Sequence, residues 1–94
     1  MNKEEILMKA VELVSKSRQE SHGDAFKNHA QIAEFWNIYL DDKLKPMASI
    51  TADEAAIMMG LVKISRSQVG KHNIDDYVDG AAYMAIAGEL KNGA

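Results

Sequence analysis

The 94-residue chain contains no cysteine, which removes disulfides, thiolate metal sites and cysteine nucleophiles together. It has no basic excess. Its formal charge of −3 argues against a general duplex-DNA binder, a role that requires clustered positive charge. No apolar run approaches the roughly 18 residues of a membrane span. The opening "MNKEEILMKA" is acidic and amphipathic rather than signal-like, so a cytoplasmic setting is expected. There is no glycine-rich phosphate loop, no nucleophile elbow and no H-E-x-x-H. No helix is rich enough in Arg, Asn and Gln to read as a recognition helix. Strand-like alternation and internal repeats are also lacking.

What is present is ordinary for a globular protein: 47% hydrophobic and 27% charged residues. The length suits one domain over residues 1–94 with a modest core, and association with copies of itself is the expectation for so short a chain.

Four helical segments are predicted, giving an all-α bundle. The first, residues 3–19, places Ile6, Leu7, Ala10, Val11, Leu13 and Val14 on one stripe. "ESHGDA" interrupts it, with Gly23 as a chain reversal and Asp24 as an N-cap. The second, "AFKNHAQIAEFWNIYL", aligns Phe26, Ala30, Ala33, Trp36 and Leu40. It ends at "DDKLKPMAS", where Pro46, the only proline, disfavours helix before it; this linker is the expected mobile loop. "TADE" is a capping box from Thr51 to Glu54. It opens a third helix that is apolar nearly all round and therefore expected to be central. After Gly70, Asn73 caps a fourth helix running to about residue 91. Gly80, Ala81, Ala82, Ala85, Ala87 and Gly88 make that helix thin, so a neighbouring backbone is expected to approach closely, as at Gly60. Met58, Met59 and Trp36 read as core.

Three aspartates crowd the entrance to the fourth helix in "HNIDDYVDGAAYMAIAGEL". Asp75 and Asp76 fall in the first turn, where the helix dipole favours negative charge. Asp79 lies one turn further in and shares a face with them, so these like charges repel unless a cation intervenes. Lys63 and Arg66, three apart on the third helix, would come beside Asp76 and Asp79 if the two helices are antiparallel. Two readings follow. The four residues form a salt-bridge network that closes the bundle, or they form a polar pocket in which Lys63 and Arg66 meet phosphate and Asp76 and Asp79 hold a metal. A second constellation, "SHGDAFKNH", sets His22, Asp24, Lys27, Asn28 and His29 around a helix start, where free amides favour an anion. It reads equally as a capped helix with exposed polar residues.

The blocks "SHGDAFKNHAQIAEFWNIYL", "ITADEAAIMMGLVKISR" and "HNIDDYVDGAAYMAIAGEL" together resemble a small uncharacterised domain family of bacteriophages and prophages. The positions that carry the likeness are Gly23, Asp24, Asn28, Trp36, Met58, Met59, Lys63, Arg66, His72, Asp76, Asp79 and Tyr83. His22 stands where the family has tyrosine, and His29 where it has phenylalanine. More distantly, the helix pair is similar to MazG-like all-α nucleoside triphosphate pyrophosphohydrolases, which hold magnesium between an E-E-x-x-E helix and an E/D-x-x-D helix. Asp76 and Asp79 fit the second of these. The facing helix departs from the first, being apolar between Glu54 and Lys63. The family itself brings no activity; the charged cluster, with the incomplete carboxylate set, leads to the expectation of a phage-encoded protein of the host cytoplasm that binds a phosphorylated, nucleotide-like ligand, such as a signalling nucleotide, without hydrolysing it. Ligand contacts would fall to His22, Asp24, Asn28, Lys63, Arg66 and Tyr83. Two alternatives stand beside this: a magnesium-dependent pyrophosphohydrolase, and an interaction module with no small ligand.

Overall fold

The computed structural model describes residues 1–15, 25–43 and 45–93, with the side chain of Asn28 left out. Within them the chain forms α1 (Lys3–Val14), α2 (Ala25–Leu40), α3 (Ala52–Ser67) and α4 (Ile74–Lys91), with no strand among the described residues. The four helices pack together as an all-α bundle. The α3–α4 hairpin makes the most extensive contact, α1 lies against α4, and α2 lies against α3.

Capping explains where the helices begin. Asn2 accepts from the Glu5 amide at 2.9 Å while its own amide donates to the Glu5 carboxylate at 3.2 Å, a reciprocal box at the start of α1. At α3 the Thr51 amide donates to Glu54 Oε1 at 3.0 Å. The Thr51 hydroxyl turns its one proton to the carboxylates of Asp53 or Glu54. These bonds from Thr51 hold the Glu54 carboxyl below its ordinary pKa, because both favour the charged form. At α4 the Asn73 side chain accepts from the Asp75 amide at 3.0 Å.

The ends differ from expectation once. The first helix ends at Val14, and residues 16–19 of the expected span lie outside the described residues. Ser15 turns out into extended backbone (ψ 161°) and directs its hydroxyl to the Glu12 carbonyl at 2.8 Å, offering that carbonyl a partner in place of a continued helix. The expected reversal at Gly23 and cap at Asp24 lie outside the described residues.

The core is built from small side chains. Ala10, Ala33, Ala55, Ala56, Val78, Ala82 and Ala87 are buried, and no large described side chain is completely enclosed. Met58, Met59 and Trp36 are partly buried. Only part of the α1 stripe is used. Ala10 packs inward while Leu7, Val11 and Val14 face solvent, because one thin neighbour, α4, covers less than the full width of the stripe. The third helix is central in contact order but not surrounded: Ile57, Leu61, Val62 and Ile64 remain exposed. Nor are the glycines obligatory for its packing. A Cβ on Gly60 or Gly80 would lie 3.8 Å from its nearest neighbour, an ordinary contact.

The linker after α2 is tied at its far end. Asn37 donates to the Ile50 carbonyl at 3.0 Å and accepts from the Ile50 amide at 2.7 Å. Both backbone groups of Ile50 are thereby satisfied just before α3 begins. In the middle, the Ala48 amide donates to the Lys45 carbonyl at 3.0 Å, with Pro46 and Met47 between them. Met47 has φ +71°, the geometry a type II turn imposes on its third residue.

Candidate functional site

The hairpin brings together the four charged residues expected to meet. Gly70 takes φ +73° in the connection, which L side chains adopt at a cost, and the end of α3 lies beside the start of α4. Lys63 Nζ lies 3.1 Å from Asp79 Oδ2, with the side chains 17% and 31% exposed. One turn nearer the connection, Arg66 Nε lies 3.8 Å from Asp76 Oδ1.

The two pairs differ in kind. Lys63 and Asp79 are both partly shielded and in close contact, which makes them a structural lock. Arg66 is 62% exposed and Asp76 only 6%, and 3.8 Å is beyond hydrogen-bonding distance. No hydrogen bond to the Asp76 carboxylate is present among the described residues. An ionised carboxylate offers about four acceptor positions, so a nearly buried one without a donor in reach is unusual. Asp75, by contrast, is exposed at the helix entrance, where the helix dipole accounts for its charge.

A groove of about 280 Å³ runs along the hairpin. Its walls are Ile57, Leu61 and Ile64 from α3 and Tyr77, Ala81 and Met84 from α4. Lys63 and Asp76 also line it, whereas Arg66 and Asp79 do not. The roughly 100° turn per helical residue explains this. Arg66 and Asp79 stand about half a turn from the wall residues of their helices, and Lys63 and Asp76 about a third of a turn. The charged cluster therefore spans the seam between the helices and opens to solvent through Arg66.

The remaining expected site residues are placed differently. Tyr83 is partly buried within the helix packing, edge-on to His29 with ring centroids 5.8 Å apart. His29 is 3% exposed. Its Nδ1 lies 2.8 Å from the Ala25 carbonyl, which fixes Nδ1 as the donor, and its Nε2 is buried with no partner among the described residues. An imidazole is thus enclosed with one of its nitrogens unpartnered among the described residues. His22 and Asp24 lie outside the described residues, and of Asn28 only the helical backbone is described. His72 is exposed in the α3–α4 connection, its ring 5.9 Å from that of Tyr77. Among the described residues no three His, Asp or Glu side chains gather as a metal site. No helix among them is long and apolar enough to cross a membrane.

Sequence reading did not single out Asn37, whose clamp on Ile50 ties α2 to the entrance of α3. An asparagine on the partly buried side of an amphipathic helix was the available signal.

Comparison with known proteins agrees with the expected uncharacterised phage domain family. The chain is 33% identical over 86 residues to the Gene 55 protein of Mycobacterium phage L5, covering 92% of this chain and 52% of that one. The chain thus spans about half the length of this relative. No solved structure gives a significant match. The model of a family described as "Domain of unknown function (DUF6378)" matches residues 5–91. With the charged cluster, the double methionine and the aspartate-rich helix entrance all inside the matched span, the chain belongs to the DUF6378 family.

Proposed function

We propose that the connection end of the α3–α4 hairpin binds a phosphorylated, nucleotide-like ligand without catalysis, in a phage-encoded protein of the host cytoplasm. The observation that carries this reading is the state of Asp76: a carboxylate 6% exposed, lining an open groove, with its nearest cation among the described residues 3.8 Å away. A ligand hydroxyl or amine would supply the donor that Asp76 lacks. The exposed guanidinium of Arg66 suits phosphate oxygens because it presents several donors in a planar fork. Lys63, already engaged with Asp79, adds positive potential from within the seam. Removing a host signalling nucleotide from circulation is the biological role that fits binding alone.

The same carboxylate, whose cation Arg66 stands 3.8 Å away, favours one second reading, a magnesium-dependent pyrophosphohydrolase of MazG-like type, because a divalent cation would also bind Asp76. Asp79 would have to leave Lys63 to join it, and further carboxylates would have to come from elsewhere.

A thermal-shift screen with nucleoside mono-, di- and triphosphates and cyclic dinucleotides, with and without magnesium, tests the proposal. A ligand that prefers the native state raises Tm, by about 2.7 kcal/mol of added stability at a hundredfold excess over Kd. We expect such a rise for the wild type and its loss in Arg66→Ala and Asp76→Asn. Pyrophosphate release with magnesium would replace the binding reading by the hydrolytic one. No shift with any compound would leave an interaction module without a small ligand.

A further inference from the structure

We infer that the apolar groove of the α3–α4 hairpin is a self-association surface, and that its occupant is the same hairpin of a second copy. Ile57, Leu61 and Ile64 are spaced four and three residues apart on α3, and Tyr77, Ala81 and Met84 repeat that spacing on α4. This is the spacing of a helical seam that packs side chains of one helix between those of another. Both seams border the same groove. Five of the six residues are exposed, Leu61 at 57%, on a face that neither α1 nor α2 covers.

A second copy as occupant fits the surface of the chain as a whole. The chain exposes 7048 Å², whereas a self-sufficient monomer of its mass exposes about 5,400 Å². Its radius of gyration is 14.4 Å, against about 12.4 Å for an average domain of this length. The surplus of about 1,600 Å² exceeds the roughly 800 Å² that each partner buries in a standard interface. An antiparallel helix pair with one long apolar seam is also self-complementary about a two-fold axis. Two copies so joined make a four-helix bundle whose centre supplies the large buried side chains that the single chain lacks. Asp76 and Ser67 lie at the connection end of the seam, so the charged cluster stays at the rim of the interface. The ligand proposal uses only the connection end of this groove, which the second copy leaves open, and the test here reads mass rather than ligand.

Light scattering on the size-fractionated full chain at micromolar concentration provides that test. The wild type is expected at twice the 10.4 kDa chain mass. Leu61→Glu is expected at the chain mass with its helical circular dichroism retained, and Ile38→Glu, altered on the exposed α2 surface, at the dimer mass. Because the chain has no cysteine, a second readout is direct. A short bismaleimide should join copies of Ala81→Cys and leave Gln31→Cys unjoined, whether or not the glutamate variant folds. A wild type at the chain mass overturns the inference. So does dissociation by Ile38→Glu with Leu61→Glu unaffected, or cross-linking through residue 31 in place of residue 81.

Discussion

Two polar regions sit at opposite ends of α3, and they treat their buried groups differently. At the α3 entrance, Asn37 and Ile50 satisfy each other through two short hydrogen bonds, and Thr51 and Glu54 close the helix start. At the α3 exit, Asp76 is more deeply buried than Asn37 yet among the described residues has only a distant arginine. A polar group whose partners lie within the chain contributes to folding, and its removal shows up as lost stability. A buried polar group without them lowers stability, and the natural place to look for its partner is outside the chain. The contrast marks the entrance of α3 as structural and supports the proposed ligand site at its exit.

Substitutions at the two ends should separate these roles. The largest stability change is expected at the entrance. Asn37→Ala strips both bonds from Ile50 and should cost about 2–3 kcal/mol, read by urea denaturation, with no effect on ligand binding. Next is Lys63→Ala, which leaves Asp79 without its cation. With both groups partly in water, the cost should be about 1–2 kcal/mol, and an added Asp79→Leu should recover part of it. The opposite sign is expected at His29. Replacement by phenylalanine removes the unpartnered Nε2 and should stabilise the chain by about 1 kcal/mol, seen as a higher Tm. The smallest change belongs to the proposed site. Asp76→Asn relieves a buried charge while giving up its favourable place near the helix start, so stability should move by less than about 1 kcal/mol while ligand binding disappears. An entrance variant that abolished binding, or a large destabilisation by Asp76→Asn, would break the comparison.

Much of this organisation was legible in the sequence because it rests on local signals. "TADE" and "HN" mark helix starts whose capping bonds form within a few residues, and the spacing of Lys63, Arg66, Asp76 and Asp79 needs only an antiparallel hairpin to bring opposite charges together. The DUF6378 match over residues 5–91 bears out the expected phage domain family. Other features depend on partners distant in sequence or on what fails to pack. The two bonds from Asn37 to Ile50 cross a thirteen-residue separation that no periodicity encodes. The exit of the chain at Ser15 turns on one hydroxyl finding the Glu12 carbonyl. The apolar face of α3 suggested a fully surrounded helix, yet apolar composition alone does not tell an interior face from one awaiting a second copy. The unequal character of the two ion pairs is equally invisible in sequence, since it depends on which side of each helix faces the seam.

The most direct test of the central claim is a nuclear magnetic resonance titration of the isotope-labelled chain with the compound giving the largest thermal shift. Amide shift changes should concentrate between Lys63 and Asp79, with Arg66 and Asp76 foremost, and residues 37–51 should remain still. Changes centred on Asn37 and Ile50, or an unperturbed spectrum with every phosphorylated compound, would contradict the assignment of ligand binding to the α3 exit.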